Sequence, residues 1–278
     1  MNFIKICLVP LLLFSLSCKE NKVQSEKSSE GTQIVTSNEI ISKDVSYNIG
    51  GQNYKSFVAY ASDTTVVRPV VMVIPEWWGL TDYAKKRAKM LAELGYFAMA
   101  VDYYGDGKVV ENPDAAGKLA EPFYKNPGSS KTVFDGAKAQ LPKFKNADFK
   151  KIAVIGYCFG GAQALNMARV ENDLKGAVSF HGNLMTGVKP KNNNVKILVC
   201  NGASDSFVPA DEIAAFKKEM DSAKISYQFI DYPNALHSFT NPAATEIGKK
   251  YGMKVAYNKE ADEKSWQDMK DFLAKIFN

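Results

Sequence analysis

Apolar and polar positions along the chain fall into short runs that alternate between the period of a strand and that of a helix. Ile41 to Ile49 and Tyr54 to Ala61 both alternate around Gly50-Gly51, which predicts an antiparallel hairpin. Val66 to Ile74 is an apolar run, as expected of a strand covered on both faces. Thr81-Asp82 can cap a helix running to Leu94, where Gly95 stops it, and Tyr96 to Val101 reads as the next strand. The rhythm then breaks. Gly105 to Ser130 is rich in glycine, proline and asparagine and reads as a long loop carrying one short helix. A helix is expected around Lys131 to Leu141, followed by a strand from Lys151 and a helix from Ala162. Strands Gly176 to Phe180, Val195 to Cys200 and Ser226 to Tyr232 follow, with helices Ala210 to Ala223 and Ala261 to Ile276. Strands alternating with helices predict an α/β fold: a mostly parallel sheet with helices on both faces and an N-terminal antiparallel hairpin, in one domain over residues 40–278.

The first residues follow a different pattern. Lys5 precedes an apolar run from Ile6 to Leu16, which is too short to span a bilayer and reads as a secretory signal over residues 1–17. Ser15-Leu16-Ser17-Cys18 resembles a lipoprotein cleavage site, with Cys18 as the lipidated first residue; ordinary signal cleavage is the alternative. Residues 18–39 are polar and aperiodic, a flexible tether. The expectation is an exported protein held on a membrane through an N-terminal lipid anchor.

Composition narrows the function classes. Of 278 residues 46% are hydrophobic and 23% charged, enough for a sizeable core, and the formal charge of +5 is spread without a basic block, so no nucleic-acid partner is expected. Two histidines without ligand spacing argue against zinc, and no metal or cofactor is implied. Nothing in the pattern sets an oligomeric state.

The chemistry centres on Gly156-Tyr157-Cys158-Phe159-Gly160-Gly161, where an apolar strand ends and helix-forming residues begin. This is the G-x-nucleophile-x-G elbow of an α/β-hydrolase fold, with cysteine in the place of serine. The turn is so tight that the flanking residues need almost no side chain, and the sulfur is left at a helix N-terminus that favours thiolate. A buried structural cysteine is the other reading. The body of the chain holds one more cysteine, Cys200, and a bridge to it would silence the elbow sulfur, so none is expected.

In an open parallel sheet, ligands gather beyond the carboxyl ends of the strands. Glu76, Asp102, Cys158, His181, Asp205 and His237 are the polar candidates there. A cysteine nucleophile needs a base, and the base needs an orienting group. The hydrolase chain order of nucleophile, acid and histidine selects Cys158, Asp205 and His237, because His181 precedes the acid. His181 either lines the pocket or satisfies backbone groups at a strand end. Asp102 is expected to stabilise its own loop. The backbone N–H groups of Phe159 and Trp77 are the candidates for an oxyanion hole.

Taken together, Ile74-Pro75-Glu76-Trp77-Trp78-Gly79, Asp102-Tyr103-Tyr104-Gly105, the Cys158 elbow, Gly202-Ala203-Ser204-Asp205 and His237-Ser238-Phe239 resemble the dienelactone hydrolase family, from about residue 45 to the end. The resemblance implies a Cys158–His237–Asp205 triad and a role for Glu76, which in that family contacts the thiol and helps generate thiolate. In that family arginines near the active-site loops hold the substrate carboxylate, one of them a few residues past the histidine. Here that region offers Asn241, and the three arginines, Arg68, Arg87 and Arg169, sit at a strand start, within a helix and at a helix end. Lysine is not an equivalent clamp, although Lys108 could add a point charge. The predicted mouth is aromatic instead, with Trp78, Tyr103, Tyr104 and Phe239 as substrate-binding candidates beside Trp77, Phe123, Tyr124, Phe159 and Phe207. The expectation is a hydrolase that cleaves a carboxylic ester or lactone through a Cys158 thioester and is not selective for dienelactone. A non-catalytic binding lipoprotein or a thiol redox sensor on the same fold is the alternative.

Overall fold

Each β-strand in the centre of the sheet is apolar on both faces, and the fold follows from covering both. In the computed structural model, described for residues 39–185, 187–191 and 193–278, β3 (Arg68–Ile74) sends Val70, Met72 and Ile74 into one core and Val71 and Val73 into the other, all fully buried. The sheet has eight strands in the order β1-β2-β4-β3-β5-β6-β7-β8. The hairpin of β1 (Ile40–Ile49) and β2 (Gln52–Ala61) is antiparallel, and β2 pairs antiparallel with β4 (Phe97–Ala100). All other neighbours are parallel: β3 with β4, β3 with β5 (Ala147–Tyr157), then β6 (Leu174–Phe180), β7 (Lys196–Gly202) and β8 (Ser226–Tyr232).

Helices cover both faces. On one side α1 (Asp82–Glu93) and α7 (Lys259–Phe277) bury Ala84, Ala88 and Leu91, and Met269 and Leu273, against the sheet. On the other side α3 (Pro127–Lys138), α4 (Phe159–Val170) and α5 (Ala210–Ser222) bury Phe134, Leu165 and Phe216. The first eleven residues of α4 are all buried, as befits a helix covered on all sides rather than along one stripe. Residues Asn38–Asn278 make one compact unit.

Two segments depart from the expected pattern. Where a long loop with one short helix is expected, the chain forms α2 (Pro113–Lys125) and an early start of α3 at Pro127. Asn112 accepts the Ala115 N–H at 2.9 Å and Asn126 accepts the Gly128 N–H at 3.1 Å, and a proline follows each cap directly. The residues that look like breakers are therefore helix starters. A further short helix, α6 (Ala244–Tyr251), lies where no element is expected and ends on Gly252 in the left-handed conformation. The signal, the tether up to residue 38 and Cys18 lie outside the described residues. Among the described residues no helix is long and apolar enough to cross a membrane.

Candidate active site

The chain moves outward from β3 to β4 and then returns to the other side of β3 with β5, so the strand order reverses between β3 and β5. A crevice opens at such a reversal, beyond the carboxyl ends of the strands. The turn carrying Glu76 and Trp77 leaves β3 there, and Cys158 leaves β5 beside it.

Cys158 has φ 53° and ψ −118°, a conformation disfavoured for a residue with a side chain. Glycine makes the turn possible. A Cβ on Gly156 would lie 1.9 Å from the Gly160 carbonyl oxygen, and one on Gly160 would lie 2.1 Å from that of Ile74. The second contact presses the start of α4 against the end of β3. The amide of Phe159, first residue of α4, has no carbonyl of its own helix to donate to. The opposing turn is held by the Gly79 N–H on the Glu76 carbonyl at 3.1 Å and by the Tyr104 hydroxyl on the Trp77 carbonyl at 3.0 Å.

The three predicted polar side chains converge. His237 Nε2 is 3.0 Å from Cys158 Sγ, and His237 Nδ1 is 2.8 Å from Asp205 Oδ2. The other carboxylate oxygen of Asp205 accepts the Phe207 N–H at 2.8 Å, which fixes its orientation. Phe207 packs over the imidazole, with ring centroids 4.9 Å apart. Burial opposes a charge on the His237 ring, but the Cys158 sulfur and Asp205 outweigh it and push its pKa up to about 10. The imidazole is thus held between the sulfur and the carboxylate, and both favour its charged form. His237 is itself stitched to the segment after α6: Val255 bridges to it, and the Ala256 N–H donates to its carbonyl at 3.2 Å.

Glu76 is buried beside this group, and Asn241 Nδ2 donates to its Oε2 at 2.6 Å. Burial raises its pKa to about 7, against hydrogen bonds from Asn241 and Ser238 and the nearby charges of His237 and Arg87. Its partners are thus Asn241 and Ser238, whereas the resemblance implies a contact to the thiol. Glu76 and Cys158 do line one cavity of about 210 Å3, whose walls include Trp77, Trp78, Tyr124, Phe207 and Asn241.

Four expected substrate contacts stand elsewhere. Tyr103 and Phe239 are core residues, 1% and 0% exposed: Tyr103 packs on Phe123 and Phe159, and Phe239 on Tyr232 and His181. Tyr104 does not line the cavity, but it braces the Trp77 turn through its hydroxyl, and burial, then the nearby Cys158 sulfur, raises the phenol's pKa. His181, also fully buried, sits beneath the nucleophile: its Nδ1 accepts the Cys158 N–H at 3.1 Å and its Nε2 contacts the Thr240 hydroxyl at 2.7 Å. Thr240 in turn shares a 2.6 Å hydrogen bond with Tyr83, and Arg87 donates to the Thr240 carbonyl at 2.8 Å while pairing with Asp262. Burial, then the neighbouring His237, holds the His181 pKa well below its usual value, so the ring is neutral. Trp78 does face the cavity. Asp102 accepts the N–H groups of Lys55, Tyr104, Gly105 and Gly107 and holds its own loop.

Sequence reasoning missed Asn183, Ile247, Met253 and Val255, which also line the cavity. The last three lie in or just after α6, and only the recurrence of apolar residues there could have signalled them. Arg169 pairs with Glu219, and Arg68 donates to the carbonyls of Asp63 and Val66, so neither reaches the site. Cys158 and Cys200 are both free thiols, and burial pushes the Cys200 pKa up to about 12. Among the described residues no group of three or more potential metal ligands comes together.

Known proteins are similar to this chain in sequence and in fold. Protein usf of Aquifex pyrophilus is 30% identical over 185 residues, covering 64% of this chain and 80% of its own. A Yersinia pestis protein assigned as a carboxymethylenebutenolidase is 27% identical over 239 residues, covering 81% of this chain and 85% of its own. The crystal structure of a dienelactone hydrolase-like promiscuous phosphotriesterase from metagenomic libraries superposes with a TM-score of 0.79 at 31% identity, covering 86% of this chain and 99% of that one. Residues 57–277 match the Dienelactone hydrolase family, to which this α/β-hydrolase chain belongs.

Proposed function

We propose that the protein hydrolyses a carboxylic ester or lactone through a thioester on Cys158. The observation that carries this reading is the pair of hydrogen bonds that links sulfur, imidazole and carboxylate. The thiolate attacks the carbonyl carbon, and the oxygen that gains the electron pair faces the N–H groups of Phe159 and Trp77. Collapse expels the alcohol oxygen, which takes the proton from His237 Nε2. His237, now neutral, removes a proton from water, whose oxygen attacks the thioester. The second collapse returns the electron pair to sulfur and releases the acid, and Asp205 keeps the ring in one orientation throughout. Two backbone donors aimed at the oxyanion contribute several kcal/mol by the usual measure, ~3 kcal/mol each.

The site does not favour a substrate that carries its own carboxylate. Asn241 occupies the place beside Glu76 where a fixed cation would be needed, and Glu76 is half protonated near pH 7. A neutral acyl group fits better than dienelactone. For the N-terminal residues we propose export and acylation of Cys18, which places the enzyme on a membrane surface.

The test is mass spectrometry of the enzyme quenched during turnover of p-nitrophenyl acetate. An acetyl adduct on Cys158, removed by hydroxylamine, is the expected result, and Cys158→Ala should neither form it nor turn over. Full turnover by Cys158→Ala would remove the sulfur from the reaction.

A further inference from the structure

Behind the cavity at the sulfur lies a second that shares a wall with it. The first, at about 210 Å3, is smaller than the roughly 300–1,000 Å3 of ordinary small-molecule sites. The second, at about 410 Å3, lies across Glu76, Trp78, Asn241 and Ile247, which line both. Neither Cys158 nor His237 lines it. Its far walls are Val109, Val110, Ala243 and Tyr251. These walls are tied together. The Val110 N–H donates to the Trp78 carbonyl at 3.0 Å, Gly79 and Val109 form an antiparallel bridge, and the Tyr251 hydroxyl donates to the Glu111 carbonyl at 2.7 Å.

The triad decides which half of a substrate belongs there. The alcohol half must leave within reach of His237 Nε2, which protonates it. The acyl half therefore extends away from His237, and the second cavity, which adjoins the first at Glu76 and Trp78 and is not lined by His237, is the space open to it. We infer that the second cavity is the acyl subsite, and that the enzyme selects esters whose acyl chain is long and apolar enough to pack on Trp78, Val110 and Ile247. This rests on the hydrolase reading above. Asp82 and Glu111 also line the cavity, against the single cation Lys250, so an acyl chain ending in a carboxylate gains little there.

The experiment compares p-nitrophenyl acetate with p-nitrophenyl octanoate on the full-length enzyme and on Val110→Trp, which fills the cavity from its far wall. Wild type should show the higher kcat/KM on octanoate. The variant should lose roughly tenfold on octanoate, the effect of excluding about two buried methylenes, while staying within about twofold on acetate. Ala243→Trp fills the same space from the other side and should behave alike if Val110→Trp does not fold. Equal losses on both esters, or an unchanged octanoate rate in both folded variants, would overturn the inference while leaving the hydrolase intact. Failure of wild type to turn over either ester would remove the hydrolase reading and the acyl subsite together.

Discussion

His181 holds the nucleophile in its unfavourable backbone conformation, and its replacement should separate catalysis from folding. His181→Phe keeps the ring volume and removes both nitrogens. The Cys158 N–H retains the Phe180 carbonyl at 2.9 Å and Thr240 retains Tyr83, so two hydrogen bonds are lost without orphaning either partner. At about 1 kcal/mol each the loss of stability is ~2 kcal/mol, which lowers Tm by roughly 4–8 °C for a domain of this size. The effect on rate should be larger. A residue held at positive φ relaxes when its clamp is removed, and a shift of about 1 Å in a reacting atom costs on the order of 100-fold. The expected result is a kcat lowered ~100-fold with KM little changed, and a matching fall in the rate of iodoacetamide labelling at Cys158. His181→Asn places an amide oxygen near the position of Nδ1 and should recover roughly tenfold of the lost kcat. A His181→Phe enzyme with wild-type kcat, or a His181→Asn enzyme no better than it, would show that His181 is packing alone.

The other two predictions concern Glu76 and its partner. The Glu76 carboxyl binds its proton more tightly in the folded state, with its pKa raised from 4.5 to about 7, so its contribution to stability is complete below pH 4.5 and is lost as pH rises to about 7. Glu76→Gln has no such loss, and its unfolding free energy should gain on wild type by roughly 3 kcal/mol across that window; urea midpoints that run parallel from pH 4.5 to 7 would contradict the shift. Asn241→Arg should place a cation beside Glu76 and raise kcat/KM for a carboxylate-bearing ester relative to its neutral analogue by about tenfold. An unchanged ratio, measured with both esters in one buffer, would show that position 241 does not set acyl charge.

The parts legible in the sequence are those where one local rule acts alone. The alternation around Gly50-Gly51 and the apolar run to Ile74 mark strands because no other element fits them. The Gly156–Gly161 elbow is readable because the close approach of backbone at Gly160 excludes any side chain. Where two rules compete, reading fails. Asn112-Pro113 and Asn126-Pro127 break a pattern in one context and start a helix in another, and only packing decides. Which aromatic residue faces a cavity is likewise a tertiary matter. Tyr103 and Trp78 each follow a strand, yet only the second lines the cavity. His181 illustrates a third case, a ring whose partner is the backbone of a residue 23 positions earlier in the chain, which no spacing rule anticipates.

The bridge between Val255 and His237 has a consequence for how the enzyme can diversify. One side of the reaction chamber is sewn to the catalytic base, so replacing Met253 or Val255 to admit a new compound also tugs on the imidazole. The far rim, at Val109 and Val110 of the second cavity, is bound to the Trp78–Gly79 turn instead. Mutational drift toward new compounds is therefore expected to accumulate on that rim first, while the stretch around residue 255 stays close to its ancestral composition.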